Sequence, residues 1–186
     1  MILLIGISGA SGVIYGIRLL EVLAKKKDIE THLVMSDSAE VNIRMETDYK
    51  PEDVRALASY NYDIKDIGAR LSSGSFKRDG MIVAPCSIKS MSALANSYND
   101  NLLVRAGDVT LKEGKKLILL VRETPLHIGH LESMERLCKM GATIMPPVPA
   151  FYHRPKTIED IILQTVGKVL DQFDIEHDLF KRWSGV

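Results

Sequence analysis

The chain has little cysteine, no net charge and no long apolar run, and each absence removes a class of protein. Its 186 residues include two cysteines, Cys86 and Cys138, neither in a paired Cys or Cys/His pattern. A disulfide framework and a zinc site are therefore both excluded, and a reducing, cytoplasmic compartment is expected. The 24 basic and 24 acidic residues cancel, which leaves no net field to draw nucleic acid or an anionic membrane. No stretch approaches the ~20 apolar residues of a transmembrane helix. The opening run, residues 1–7, has no basic flank and flows into glycine, so it reads as a core strand and not a signal peptide. Internal repeats and low-complexity linkers are also missing. One domain over residues 1–186 is the expectation, long enough to bury roughly 70% of its unfolded surface.

What is present is a repeated alternation of short apolar runs and amphipathic stretches. The first run enters GISGASG (residues 6–12) and passes straight into a helical stripe of Val13, Ile17, Leu20 and Ala24. Gly6, Gly9 and Gly12 allow a sharp turn and a close approach. Ser8 and Ser11 stand beside amide groups that a helix leaves unpaired in its first turn, a setting suited to an anion such as phosphate. A strand at 31–36 delivers Ser36, Asp37 and Ser38 to the same edge, and helices follow at 39–45 and from Pro51. Residues 59–80 read as irregular, with SSGSF (72–76) a surface loop.

A buried strand at 80–85 ends in CSIKS (86–90), a second strand-to-helix turn carrying Ser87, Lys89 and Ser90. A helical segment over 101–116 puts Arg105 and Lys112 on one face, and a strand at 116–121 ends in RETP. The next helix, with Leu131, Met134, Leu137 and Cys138 inward, closes at Gly141. A strand at 142–146 runs into PPVPAFYHRP, and the last helix carries an apolar stripe from Ile158 to Phe173 behind a Thr157 and Asp160 capping pair. The tail, 174–186, holds the single tryptophan, Trp183. About five strand and helix repeats argue a parallel sheet covered on both faces, an α/β, Rossmann-like, three-layer domain.

In such sheets ligands sit outside the carboxyl ends of the strands. The residues delivered there are the GISGASG turn, Ser36, CSIKS, Arg122 with Glu123, and the PAFYHR loop. The glycine spacing is G-x-x-G-x-x-G, which fails the dinucleotide fingerprint, and no GKS or GKT follows a glycine loop. A mononucleotide held by hydroxyls and backbone amides, as in flavodoxin-like folds, fits better. Cys86, with no partner histidine, reads as a small buried residue. His127 and His130 lack a third ligand, so no metal is expected, and His153 reads as support for its loop. Glu46 reads equally as a helix cap or an active-site acid.

Several stretches in order carry a more specific likeness: GISGASG with YGIRLLEVL, METD (45–48), SSGSF, APCSIKS, NLLVRAGDVTLKE, LVRETPLHIGHLESM and PPVPAFYHRP. Together they resemble the UbiX-type flavin prenyltransferases, once labelled aromatic-acid decarboxylases, from about residue 2 to Trp183. The resemblance implies a flavodoxin-like flavoprotein that assembles into large homo-oligomers, typically dodecamers. The implied reaction joins a dimethylallyl group, from dimethylallyl phosphate or diphosphate, to N5 and C6 of reduced FMN. The product, prenylated FMN, serves a partner UbiD-type decarboxylase. The family pattern puts FMN on Gly9, Ala10, Ser11, Ser36, Ser87, Ile88, Lys89, Ser90 and Arg122. It puts the prenyl phosphate near Arg105, Lys112, Arg122, Tyr152 and Lys168, and catalytic roles on Ser11, Glu46 and Glu123.

Two positions depart from the pattern. Lys168 stands where relatives often have arginine, keeping the charge and losing the bidentate fork, and Ser90 stands where many have threonine. No Asp-rich helix of the kind that holds magnesium for a diphosphate is present, so lysine, arginine and a tyrosine hydroxyl are expected to neutralise the leaving group without metal. Two further readings share these residues: a non-catalytic FMN-binding or delivery subunit, and a flavin-dependent cysteine decarboxylase.

Overall fold

The computed structural model describes residues 1–183 and 185. Contacts group the chain into two compact units, Met1–Pro146 and Pro147–Val186, each taken by itself below.

The first unit is a six-stranded, all-parallel sheet. Its strands are β1 (Ile2–Ile7), β2 (Glu30–Met35), β3 (Tyr60–Tyr62), β4 (Gly80–Cys86), β5 (Lys116–Val121) and β6 (Thr143–Ile144). In space they run β3-β2-β1-β4-β5-β6. The helices between them are α1 (Ile14–Ala24), α2 (Asp37–Glu46), α3 (Pro51–Ala56), α4 (Ile88–Ala95), α5 (Leu102–Lys112) and α6 (Ile128–Lys139). β1 and β4 are apolar without alternation because both sheet faces are covered. Leu4 joins the cluster built by Leu94, Leu102 and Leu103 of α4 and α5, while Ile7 lies against Gly16 of α1 on the other face. Leu3, Leu4, Ile5 and Ile7 are all under 2% exposed, and each such side chain contributes about 1.5–3 kcal/mol by burial. The chain works outward from β1 through β2 to β3, then returns to β4 beside β1 and works outward the other way. The reversal opens a crevice between the carboxyl ends of β1 and β4.

Three expectations need correction. Residues 59–80 are not wholly irregular: Tyr60–Tyr62 adds an edge strand in register with His32, Leu33 and Val34, and Arg70–Ser72 makes a 3-10 turn. Three residues are too few to show a period of two, and what secures them is a side-chain stack. His32, fully buried, lies between the rings of Tyr60 and Tyr62 with Phe76 edge-on, at centroid distances of 4.9, 5.7 and 5.1 Å. Secondly, the inward face expected on α6 shrinks to Leu137, buried, and Met134, partly buried against the core; Leu131 is 48% exposed and Cys138 is exposed. α6 lies at the far edge of the unit, over a strand of two residues, which offers little sheet to cover. Thirdly, Ile158, expected to open the apolar stripe of the last helix, is 77% exposed.

The second unit holds that helix, α7 (Ile158–Asp171). It is capped as expected: Thr157 accepts from the Asp160 amide and Asp160 from the Thr157 amide. Residues 184 and 186 of the tail lie outside the described residues. Among the described residues, no helix is long and apolar enough to cross a membrane.

The His32 stack has a titratable centre. A carboxylate only accepts, so the 2.6 Å contact to Glu30 fixes the ring proton on Nε2, and Nδ1 accepts from the Tyr62 hydroxyl at 2.9 Å. Tyr62 in turn accepts from Arg70 Nε at 2.7 Å. Burial lowers the His32 pKa and outweighs the opposing pull of Glu30. The unfolded chain therefore binds a proton at higher pH than the folded one, and stability falls as the pH drops through about 6.5. His32→Phe keeps a ring in the stack and removes the proton. Its thermal midpoint should change less between about pH 7.5 and 5.5 than that of the parent; equal pH dependence in the two proteins would refute this.

Candidate functional site: a polar cleft at the strand reversal

The first turns of three helices, α2, α4 and α5, build a cleft at the carboxyl edge of the sheet together with the turn after β1. The turn after β1 is tied to the turn after β4 by Ser8. Its buried hydroxyl donates to the Pro85 carbonyl at 2.8 Å and accepts from the Ser87 amide at 2.7 Å. Ser36 ends β2 and caps α2, accepting from the Ala39 amide at 3.1 Å. Ser87 caps α4, accepting from the Ser90 amide at 3.3 Å and donating to the Ser90 hydroxyl at 3.2 Å. Asn101 caps α5 through the Val104 amide at 3.1 Å. These caps line one cavity of about 150 Å³ together with Gly9, Ser38, Lys89, Ser90 and Asp100. Converging helix amino ends and small hydroxyls suit a phosphate.

The glycines have separate reasons. A Cβ on Gly9 would lie 2.3 Å from Cβ of Ser38, so only a bare backbone fits there. Gly12 has φ of +95°, and a Cβ on it would also press on the Tyr15 ring at 3.2 Å. The α1 amino end has no side-chain cap of its own. Glu46 supplies one from the end of α2: Oε2 accepts from the Gly12 amide at 2.7 Å and the Val13 amide at 3.3 Å. A carboxylate there is favoured by about 0.3–1 kcal/mol. In the chain by itself Glu46 thus acts as a cap.

Of the residues singled out by sequence, Gly9, Ser36, Ser87, Lys89 and Ser90 are brought together in the cavity. Ala10 is buried and Ser11 exposed in the same turn, and Ile88 opens α4. Arg122 and Glu123 leave the end of β5, exposed, beside the β4 turn, where the Arg122 amide donates to the Cys86 carbonyl at 3.1 Å. Arg122 also acts electrostatically on Tyr15, whose hydroxyl burial pushes up and the arginine pulls down. Arg105, one turn into α5, is paired with Asp108 at 3.3 Å.

Lys112 is elsewhere. It ends α5, ~16 Å along the helix from Asn101 at 1.5 Å per residue, just before β5 begins. There it is bonded to Glu113, beside Gly74 of the SSGSF loop. Tyr152 and Lys168 belong to the second unit, Tyr152 44% exposed and Lys168 half-buried and paired with Asp171. Cys86 is fully buried and its thiol is pushed up to about 12, so it is no nucleophile. His127 caps α6, accepting from the Gly129 amide at 3.1 Å. Among the described residues no group of three His, Cys, Asp or Glu could hold a metal. Sequence reading missed Asn101 and Asp100 as lining residues; Asn before LLVRAG is a cap signal that would have placed them at this edge.

A parallel sheet in this order, with a hydroxyl-lined cleft at its reversal, defines a mononucleotide-binding α/β protein. The Flavoprotein family model matches residues 1–173. The flavin prenyltransferase UbiX of Thauera aromatica is 60% identical over 185 residues, covering 100% of this chain and 95% of that protein. Two solved structures superpose closely. One is a dodecameric FMN-dependent UbiX-like decarboxylase from Escherichia coli O157:H7, with TM-score 0.98, 48% identity and full coverage of both chains. The other is AnUbiX (PadA1) in complex with FMN and dimethylallyl pyrophosphate, with TM-score 0.97, 48% identity and coverage of 100% and 98%. The chain belongs to the flavoprotein family and, within it, to the UbiX flavin prenyltransferases.

Ser8 carries the testable weight of this geometry. Ser8→Ala leaves the Ser87 amide unpaired and the Pro85 carbonyl with only the Ser8 amide, at 3.2 Å, so denaturant unfolding should show a loss of about 1–3 kcal/mol. FMN affinity, read by flavin fluorescence, should fall with it; unaltered stability and affinity would contradict the bridging role.

Proposed function

We propose that the chain is a flavin prenyltransferase that joins a dimethylallyl group, from dimethylallyl phosphate or diphosphate, to N5 and C6 of reduced FMN. The observation that carries the reading is its whole-length likeness to a protein holding FMN and dimethylallyl pyrophosphate, since a flavin carrier alone has no use for an allylic phosphate. The cleft fits the flavin's phosphate in kind: its hydroxyls and lysine donate, and Gly9 lets backbone approach closely. Gly9, Ala10, Ser11, Ser36, Ser87, Ile88, Lys89, Ser90 and Arg122 would hold FMN, which when bound and reduced supplies the nucleophilic ring atoms.

The chain's own residues have two tasks. Breaking an allylic C–O bond requires the departing phosphate to be neutralised and water kept out; Arg105, Lys112, Arg122, Tyr152 and Lys168 take the first part. Loss of the C6 proton is general-base work, assigned to Glu123, whose carboxylate leaves β5 beside Arg122. Glu46 holds the turn that presents Ser11. Lys112 lies at the amino edge of the sheet, away from the cleft of its own chain, and so serves a neighbouring copy's cleft in a homo-oligomer of the dodecameric kind. The product passes to a UbiD-type decarboxylase. The free thiols of Cys86 and Cys138 accord with a reducing, cytoplasmic setting.

Anaerobic incubation with reduced FMN and dimethylallyl phosphate, with the diphosphate in parallel, should give a flavin heavier by one five-carbon unit in mass spectrometry. Binding of FMN with no such product from either donor would leave only a carrier role. In single turnover Glu123→Gln should lower the yield of finished prenylated flavin at least ~10-fold, the low end for a general base. An undiminished yield would remove Glu123 from that step. Co-expressed Lys112→Ala and Glu123→Gln chains should regain activity that neither has alone, because mixed oligomers rebuild intact clefts; mixtures as inactive as their parts would place Lys112 outside its neighbour's site.

A further inference from the structure

In the second unit one carboxylate gathers three cationic or hydrogen-bearing partners. Asp171, the last residue of α7, accepts from both arms of Arg182, at 2.6 and 3.1 Å, and from His177 Nε2 at 3.0 Å. Its Oδ2 also lies 3.5 Å from Lys168 Nζ, one turn back on the helix. The side chain is only 17% exposed. His177 Nδ1 accepts the Leu179 amide at 3.2 Å, so in the neutral ring the proton sits on Nε2 and points at Asp171. Hydrogen bonding from Arg182, reinforced by His177 against the opposing effect of burial, lowers the Asp171 carboxyl to about 2. It is a carboxylate at every working pH.

These bonds fold the tail back on the helix. A Cβ on Gly167 would meet Phe180 at 2.5 Å and His177 at 2.6 Å, so the tail rests on bare helix backbone. Beside Arg182, the Trp183 ring stands edge-to-face on Tyr152, with centroids 6.2 Å apart and planes at 83°. One carboxylate thus restrains Lys168 directly and, through Arg182 and Trp183, the ring of Tyr152. Tyr152 is held between two edge-on rings, Trp183 on one hand and His153 at 5.5 Å and 72° on the other, and only the first is tied to Asp171. The charges also matter. Lys168 and Arg182 repel each other, and Asp171 between them lets both stay near a site for an anion while leaving the local sum positive.

We infer that Asp171 is a positioning residue for prenyl-phosphate binding, holding the Lys168 ammonium and the tail that buttresses Tyr152. The inference rests on the proposed phosphate role of Lys168 and adds the group that sets its place.

The test uses the FMN-loaded oligomer. Asp171→Asn should raise KM for dimethylallyl phosphate about tenfold, the scale of one lost charged hydrogen bond, with kcat much less affected. Calorimetric titration with the same compound should show the same loss of affinity, while FMN binding stays close to the parent's. Asp171→Glu should recover part of the affinity. Should Asp171→Asn fail to fold, Arg182→Gln, on the exposed tail, decides in its place by the same KM rise. A KM unchanged in these variants while Lys168→Gln raises it would overturn the inference and leave the phosphate role of Lys168 standing. A KM unchanged in Lys168→Gln would remove both, and the wild-type mass-spectrometric assay would still judge prenylation separately.

Discussion

The Ser8 hydroxyl is the interaction on which the site depends. Two strands that lie side by side but 77 residues apart in the chain must present their ends at one level for a single ligand to touch both. Backbone pairing does this only in part: the β1–β4 register runs from Leu3 to Gly6, and past it one backbone bond joins the Ser8 amide to the Pro85 carbonyl at 3.2 Å. Beyond that, one buried oxygen, donor to Pro85 and acceptor from Ser87, fixes the turns relative to each other. Everything later in the cleft, from the α4 cap to the approach of Arg122 over Cys86, is measured from that join.

Much of this was legible in the chain itself, and for identifiable reasons. β1, β4 and β5 carry unbroken runs of five to seven apolar or glycine and proline residues, covered on both faces, and burial of that kind leaves a plain trace. The cleft residues Gly9, Ser36, Ser87 and Ser90 were legible too, since a small polar residue between a strand and a helix has a backbone duty that restricts its type. β3 left no trace because it is held by His32 stacking and not by a pattern of its own. α6 misled because its apolar residues signal a face, and periodicity does not say whether this chain covers that face. Lys112 sits seven residues from Arg105 on the same helix, yet spacing is silent on which edge of the sheet each residue reaches.

Two buried cationic or titratable groups serve the frame of the first unit and not the cleft. His32 secures the edge strand, and Arg78, 3% exposed, donates to the carbonyls of Leu71, Ser73 and Ala106 at 3.0, 2.6 and 3.4 Å. Backbone oxygens satisfy that guanidinium, and burial lowers its pKa. The arginine thereby staples the SSGSF loop to α5, next to the end of the helix where Lys112 stands. The sheet's two edges are organised differently: hydroxyls and helix starts at one, aromatic rings and arginines at the other.

Serine at the caps of α2 and α4 has a consequence for which residues those positions can accept. Aspartate caps a helix as well as serine does, and on stability alone the two would be interchangeable. A hydroxyl, however, accepts from its own helix amide and still has a proton to give, whereas a carboxylate only accepts. At Ser36 that proton is left for a ligand, at Ser87 it passes to the Ser90 hydroxyl at 3.2 Å, and a carboxylate at either position would set like charge against an anion in the cleft. The cap positions are thus held by two demands at once, one from folding and one from the ligand, and serine answers both where aspartate answers only the first.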